Sequence, residues 1–209
     1  SAANTSGSVF AAGVLSGASI FTGSIINNGT IAGSATLAGT SGNLNVLGVT
    51  VGGSLFTGNV SNVGTISVSG VSTDSRGNVN VTGIATNYQT FVGGITNSGM
   101  LSVTASGAGN CDHSVFASGI LVNGTRFGPT SVGAGGGIVN SGSIILSSTK
   151  SRPKANDCNS VMAVKATGIS VNPVSIFNGG ITNNGSINTA AIFSGPECGN
   201  ALAVGVQIH

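Results

Sequence analysis

Charge is the scarcest property of this chain. Six basic and four acidic side chains are spread over 209 residues, 5 % of the total, where about 25 % is typical. The net charge of +2 marks no electrostatic partner, and no Lys/Arg run is dense enough to hold nucleic acid. Aromatics are equally thin: no Trp, one Tyr and eight Phe, too few for base-stacking platforms. No apolar run approaches the roughly 18 residues of a membrane-spanning helix. Disorder is excluded from the other side. The chain is 40 % hydrophobic with a positive mean hydropathy, whereas disordered chains combine low hydropathy with high charge.

Glycine is abundant, 36 of 209 residues, against a usual share of about 7 %. It is interspersed with Val, Ile, Ser, Thr and Asn, the mixture expected of short strands joined by tight turns. The pattern G-x-[IV]-x-N-x-G-x-[IL] occurs five times, its first apolar position at Ile25, Val60, Ile95, Ile138 and Ile181, in steps of 35, 35, 43 and 43 residues. Its Asn falls at Asn27, Asn62, Asn97, Asn140 and Asn183. A second motif, an apolar segment closing on Gly-Ile or Gly-Val, interleaves at Gly13, Gly48, Gly83, Gly119, Gly168 and Gly205. Extra residues enter at two places only, after Gly119 and between Ile144 and Val161. Insertions confined to corners are what a solenoid tolerates, because each coil is held by its neighbours.

Each repeat reads as three short strands with apolar residues alternating along them, for example Phe56 to Ser61, Thr65 to Val68 and Val79 to Ala85. The expected fold is all-β: one domain over residues 1–209, a parallel β-helix of about five to six three-strand coils with a repeat of 35–43 residues. Two shorter coils per repeat is the competing count. Glycine at the corners suits positive φ. The Asn column should form a ladder of stacked amides that pairs otherwise buried turn groups. Phe21, Phe56, Phe91 and Phe177 should stack in the core. The fourth coil has Ala134 in that slot, and Phe127, from the inserted corner, is expected to swing in and fill it.

GGITNSGMLSV (93–103) and GGITNNGSINT (179–189) resemble repeats in passenger domains of bacterial autotransporters and related large surface proteins. The resemblance covers the whole chain as a repeat type. It implies an exported, right-handed parallel β-helix, extracellular or on the bacterial cell surface, and no specific receptor. The outer-membrane barrel of that family is not in this sequence, and three cysteines depart from its habit of few or none.

Chemical variety is concentrated between the second and third strands. Asp74, Arg76, Asp112, His113, Lys150, Arg152, Lys154, Asp157 and Glu197 all fall there and should stack along one edge, the candidate interaction surface. Cys111, Cys158 and Cys198 occupy the same corner of consecutive coils, close enough for a disulfide, with Cys111–Cys158 and Cys158–Cys198 both open pairings. A metal site from these cysteines and His113 lacks short C-x-x-C spacing and is set aside. One carboxylate per coil on corner loops is a poor acid–base pair, so no catalytic residue, cofactor or metal is assigned. The sequence therefore points to a non-enzymatic structural or adhesive solenoid. Its partners would be copies of itself, through uncapped ends, and a host or surface glycan or protein. The alternative is a carbohydrate-binding or polysaccharide-cleaving β-helix that uses the charged corner.

Overall fold

The computed structural model describes residues 2–4, 7–38, 42–73, 77–109, 113–130, 136–151, 162–195 and 199–209. They hold twenty strands and no helix. The first coils comprise β1 (Ala2–Asn4), β2 (Val9–Ser16), β3 (Ile20–Thr22), β4 (Ile25–Asn27), β5 (Thr30–Leu37), β6 (Leu44–Thr57), β7 (Val60–Asn62) and β8 (Thr65–Thr73). The middle comprises β9 (Val79–Val92), β10 (Gly94–Asn97), β11 (Met100–Ala108), β12 (Val115–Asn123), β13 (Arg126–Phe127), β14 (Gly137–Asn140) and β15 (Ser143–Ser151). The last are β16 (Met162–Val171), β17 (Ile176–Phe177), β18 (Ile181–Asn183), β19 (Ser186–Ser194) and β20 (Gly199–Ile208).

These strands form three parallel sheets. The first runs β1-β5-β8-β11-β15-β19; the second is the short-strand sheet β4-β7-β10-β14-β18. The third stacks β2, β6, β9, β12, β16 and β20, with β3, β13 and β17 continuing its rungs. One sequence repeat makes one coil, which removes the two-coil count: Ile95 pairs with Val60 below and Ile138 above, one repeat away on each side. The 43-residue steps leave this register intact, since Leu101 still faces Ile144, and Ile144 faces Ile187.

Strand boundaries differ from the sequence reading in two respects. Phe56 does not share a strand with Val60. It ends the long strand β6, and Gly58, at φ 144°, turns the chain into the short-strand sheet. A side chain there would overlap the Gly23 carbonyl one coil away. The strands after the Asn-x-Gly turn are also twice as long as expected; β8 runs to Thr73, not Val68. Positive φ is not what requires Gly64, Gly99 and Gly142 in those turns. A Cβ at each would strike the carbonyl of the equivalent glycine below.

Inside the coil, side chains of one phase stack in columns. The phenyl rings of Phe21, Phe56, Phe91, Phe127 and Phe177 form one continuous stack, with centroids 4.5–5.3 Å apart and near-parallel planes. Phe127 takes the fourth slot, but not by swinging in from an insertion. It is in regular register, paired with Phe91 and Phe177, so the extra residues follow it. Ala134 lies outside the described residues. Gly48, Gly83 and Gly119 form another column. A Cβ at Gly119 would lie 2.7 Å from the γ2 methyl of Ile144 on the opposite sheet, so glycine here lets two sheets approach. Gly53 serves an irregular neighbour: it leaves room for Tyr88, whose buried hydroxyl donates to the Ala18 carbonyl at 3.1 Å.

Phe91 loses two stacking partners on truncation, and Phe21 only one. Phe91→Ala should cost about 3–5 kcal/mol, the range for a buried Phe. The half-buried Phe21 should cost clearly less. Urea unfolding of both variants checks this, and equal losses would mean that stack position does not matter.

Candidate functional site

The charged corner was the one chemically varied region in the sequence. Asp74, Arg76, Asp112, Arg152, Lys154, Asp157 and Glu197 lie outside the described residues, as do Cys111, Cys158 and Cys198. The two members that are described do not belong to a solvated edge. His113 is 3 % exposed and Lys150 1 % exposed. The Lys150 Nζ sits 3.0 and 2.9 Å from Nδ1 and Nε2 of the His113 ring.

The reason is register. Lys150 occupies the column Leu37–Ser72–Gly107–Lys150–Phe193, and alternation along β15 places Ile144, Leu146, Ser148 and Lys150 all inward. Gly107 supplies the space. A Cβ there would stand 2.6 Å from the His113 ring, so the imidazole fills the volume that a side chain at 107 would take. Read as a four-residue strand, the segment seemed to end before Lys150. As a nine-residue strand it carries the ammonium inside. Among the described residues no three His, Cys, Asp or Glu side chains come together as metal ligands.

The Asn column is a continuous chain of hydrogen bonds. Each Nδ2 donates to the next Oδ1: Asn27 to Asn62 at 2.7 Å, Asn62 to Asn97 at 2.8 Å, Asn97 to Asn140 at 2.7 Å and Asn140 to Asn183 at 2.7 Å. The second amide hydrogen reaches a turn carbonyl in the next coil, Thr65 for Asn27 and Met100 for Asn62, both at 3.2 Å. The Asn backbone carbonyl in turn accepts from two turn amides above it, as Asn97 does from Ser141 and Gly142. Asn62, Asn97 and Asn140 are fully buried. All this pairing is internal, and the role of the column is to close the turn.

Sequence reasoning missed a second amide ladder, on the outside of the third sheet. Asn172 Nδ2 donates to Asn123 Oδ1 at 2.6 Å, and Asn123 Nδ2 donates to Asn87 Oδ1 at 2.8 Å. On the same face, Asn80 donates to Asn45 at 3.0 Å. The signal was present in the spacing. Asn87 and Asn123 each lie four residues beyond a Gly-[IV] step, as does Asn172, but no flanking motif drew attention to them. Between these amide rows the sheet carries a hollow, lined among others by Asn45, Asn80, Phe116, Lys165 and Asn172.

Asn97→Ala should leave the Asn62 donor and the Asn140 acceptor without their buried partner, at about 1–3 kcal/mol for each group stranded. Asn183→Ala, at the exposed end of the ladder, should cost no more than a fraction of that. Chemical denaturation of the two variants side by side tests the ladder, and similar stabilities would remove its energetic role.

No family model, curated protein or solved structure matches this chain.

Proposed function

We propose that this chain is a non-enzymatic structural and adhesive solenoid, extracellular or on a bacterial cell surface, which associates with copies of itself head to tail. The observation that carries this reading is the unbroken stacking of same-phase columns through the coils, in which each rung pairs with another of its own kind. Along β20, the inward Val206 and Ile208 are 42 and 64 % exposed, whereas Ile169 and Val171, their partners one rung away, are 0 and 1 % exposed. At the other end, the inward Ala11 and Val14 are half-buried, whereas Val46 and Val49, their partners on the next rung, are buried. A parallel rung templates a further strand of the same kind.

Stacked head to tail, β20 of one copy would meet β2 of the next, and the distal half of β19 would meet β1. The Phe and Asn columns, with five members each against six rungs in the long-strand sheet, would stop one rung short of each other. The contact therefore rests on β20 and β2. The resemblance of the repeats to surface-exported solenoids supports the location. Scarcity of charge supports the stacking, since charged columns repel their own copies. No helix among the described residues is long and apolar enough to cross a membrane.

Phe10 and Leu202 terminate one outward column, Phe10–Asn45–Asn80–Phe116–Lys165–Leu202, and would become neighbours in the stack. Phe10→Glu with Leu202→Glu should abolish concentration-dependent association in sedimentation velocity. Phe10→Lys with Leu202→Glu should preserve it, and filament length in negative stain should follow. A native chain that stays monomeric at all concentrations, or two double variants that behave alike, would reject head-to-tail stacking.

A further inference from the structure

The outer face of the third sheet is concave where the Gly column interrupts the strand. On β6, Leu44, Val46, Gly48, Val49 and Val51 are all buried, so the alternation changes phase at the glycine. The outward side chains beside that step are nevertheless sheltered. Thr50, Thr82, Ala85, Thr167 and Ser170 are each at most 5 % exposed, although none belongs to the inward columns. Of these, Thr82, Ala85, Thr167 and Ser170 floor a groove of about 340 Å³ that crosses four coils, roughly 14 Å along the solenoid axis at about 4.8 Å per rung.

The chemistry of the groove is specific in kind. Amide side chains line three of its four rungs, with Asn45 on one, Asn80 and Asn87 on the next and Asn172 on the last, and Ser118 supplies a hydroxyl on the rung between. Phe116 presents an only partly buried ring in the middle, with Leu47 and Leu121 as apolar neighbours. Lys165 is the one charged side chain among the described residues that line the groove. The Thr167 hydroxyl, in the floor, has no hydrogen-bond partner although its residue is 98 % buried.

We propose that this groove binds an acidic polysaccharide strand laid along the solenoid axis. Amide rows and hydroxyls on a rigid floor suit a ligand whose every unit carries hydroxyl groups. The Phe116 ring offers a face to the C–H side of a sugar ring, and the lone ammonium of Lys165 selects a carboxylate- or sulfate-bearing unit. An extended peptide fits less well. The sheet backbone beneath the groove is already paired on both sides, so no free N–H or C=O row is left to hold a peptide main chain. Neither His113 nor Lys150, the described members of the charged corner, lines the groove. It deepens the adhesive half of the function proposed above and is independent of the end-to-end half.

The test is calorimetric titration of the whole chain with hexagalacturonate, with maltohexaose and with a decapeptide of Gly and Ser. The acidic hexamer should bind and the neutral one more weakly. Lys165→Gln should weaken the acidic hexamer roughly tenfold to a hundredfold, the worth of one charge-assisted contact, and bring it level with the neutral one. Phe116→Ala should weaken both sugars. Both side chains lie on the outer face, so circular dichroism of the variants should match the native chain. Tighter binding of the peptide than of either sugar, or sugar binding unchanged in both variants, would overturn the proposal. So would absence of binding by a folded native chain. End-to-end association, followed by sedimentation in the same samples, reports separately on the other half of the function.

Discussion

The rest of the structure depends on one constraint: each residue's nearest non-local neighbour is the residue of the same phase one coil away, at the fixed spacing of parallel strands. Whatever occupies a column must therefore tolerate a copy of itself at about 4.8 Å. Few side chains do. An amide does so well, since its donor end meets the acceptor end of the next, and five Asn residues do this in succession. A phenyl ring does so by near-parallel stacking. Branched aliphatics do so by contact alone. Charges of one sign do not, which is the physical origin of a chain with 5 % charged residues. The composition that looked like an absence is the price of the architecture.

The same constraint explains why irregular residues come in compensating sets. Where a column changes identity, its neighbours must return the volume. Gly53 lies beneath the large Tyr88 and makes way for its ring. Gly107 yields its space to His113, which then stands beside the ammonium of Lys150 on the next rung. These substitutions are not local to one coil. Tyr88 reaches a carbonyl seventy residues earlier, so a change at one position is felt two coils away. A defect in the interior of such an array costs more than the same defect at an end, because only interior residues have partners on both sides.

Much of the architecture was legible in the sequence because columns repeat. The Asn and Phe positions recur with their flanking glycines, so parallel pairing and register could be read from Ile25, Val60, Ile95, Ile138 and Ile181, while one coil or two per repeat was decided only by the strand pairing. Strand length was not legible. The inward positions beyond Val68 and Val103 are Gly70 and Ala105, followed by Ser72 and Gly107, too small to show as hydrophobic alternation. Gly70 and Ala105 are small because the first and third sheets converge there: a Cβ on Gly70 would lie 2.7 Å from a Val81 methyl. The close approach that demands small side chains also erases the pattern that would have revealed the strand. Lys150 was misplaced for this reason, as the last inward residue of a strand whose second half was invisible.

Function separates along the same line. Inward columns answer to their own copies, so their residues are committed to stacking and carry little information about anything outside. Outward positions are free of that demand wherever a groove spaces them from one another, and there the columns become heterogeneous. Phe10, Asn45, Asn80, Phe116, Lys165 and Leu202 share one phase yet have four different chemistries. A solenoid under selection for stacking alone could fill that column with one residue type, as it fills the Asn ladder. Replacement by an aromatic ring and then a lone ammonium, over a floor holding an unpartnered hydroxyl at Thr167, is variation that the fold does not require. Heterogeneity on an otherwise periodic scaffold is where recognition of something other than self can be written.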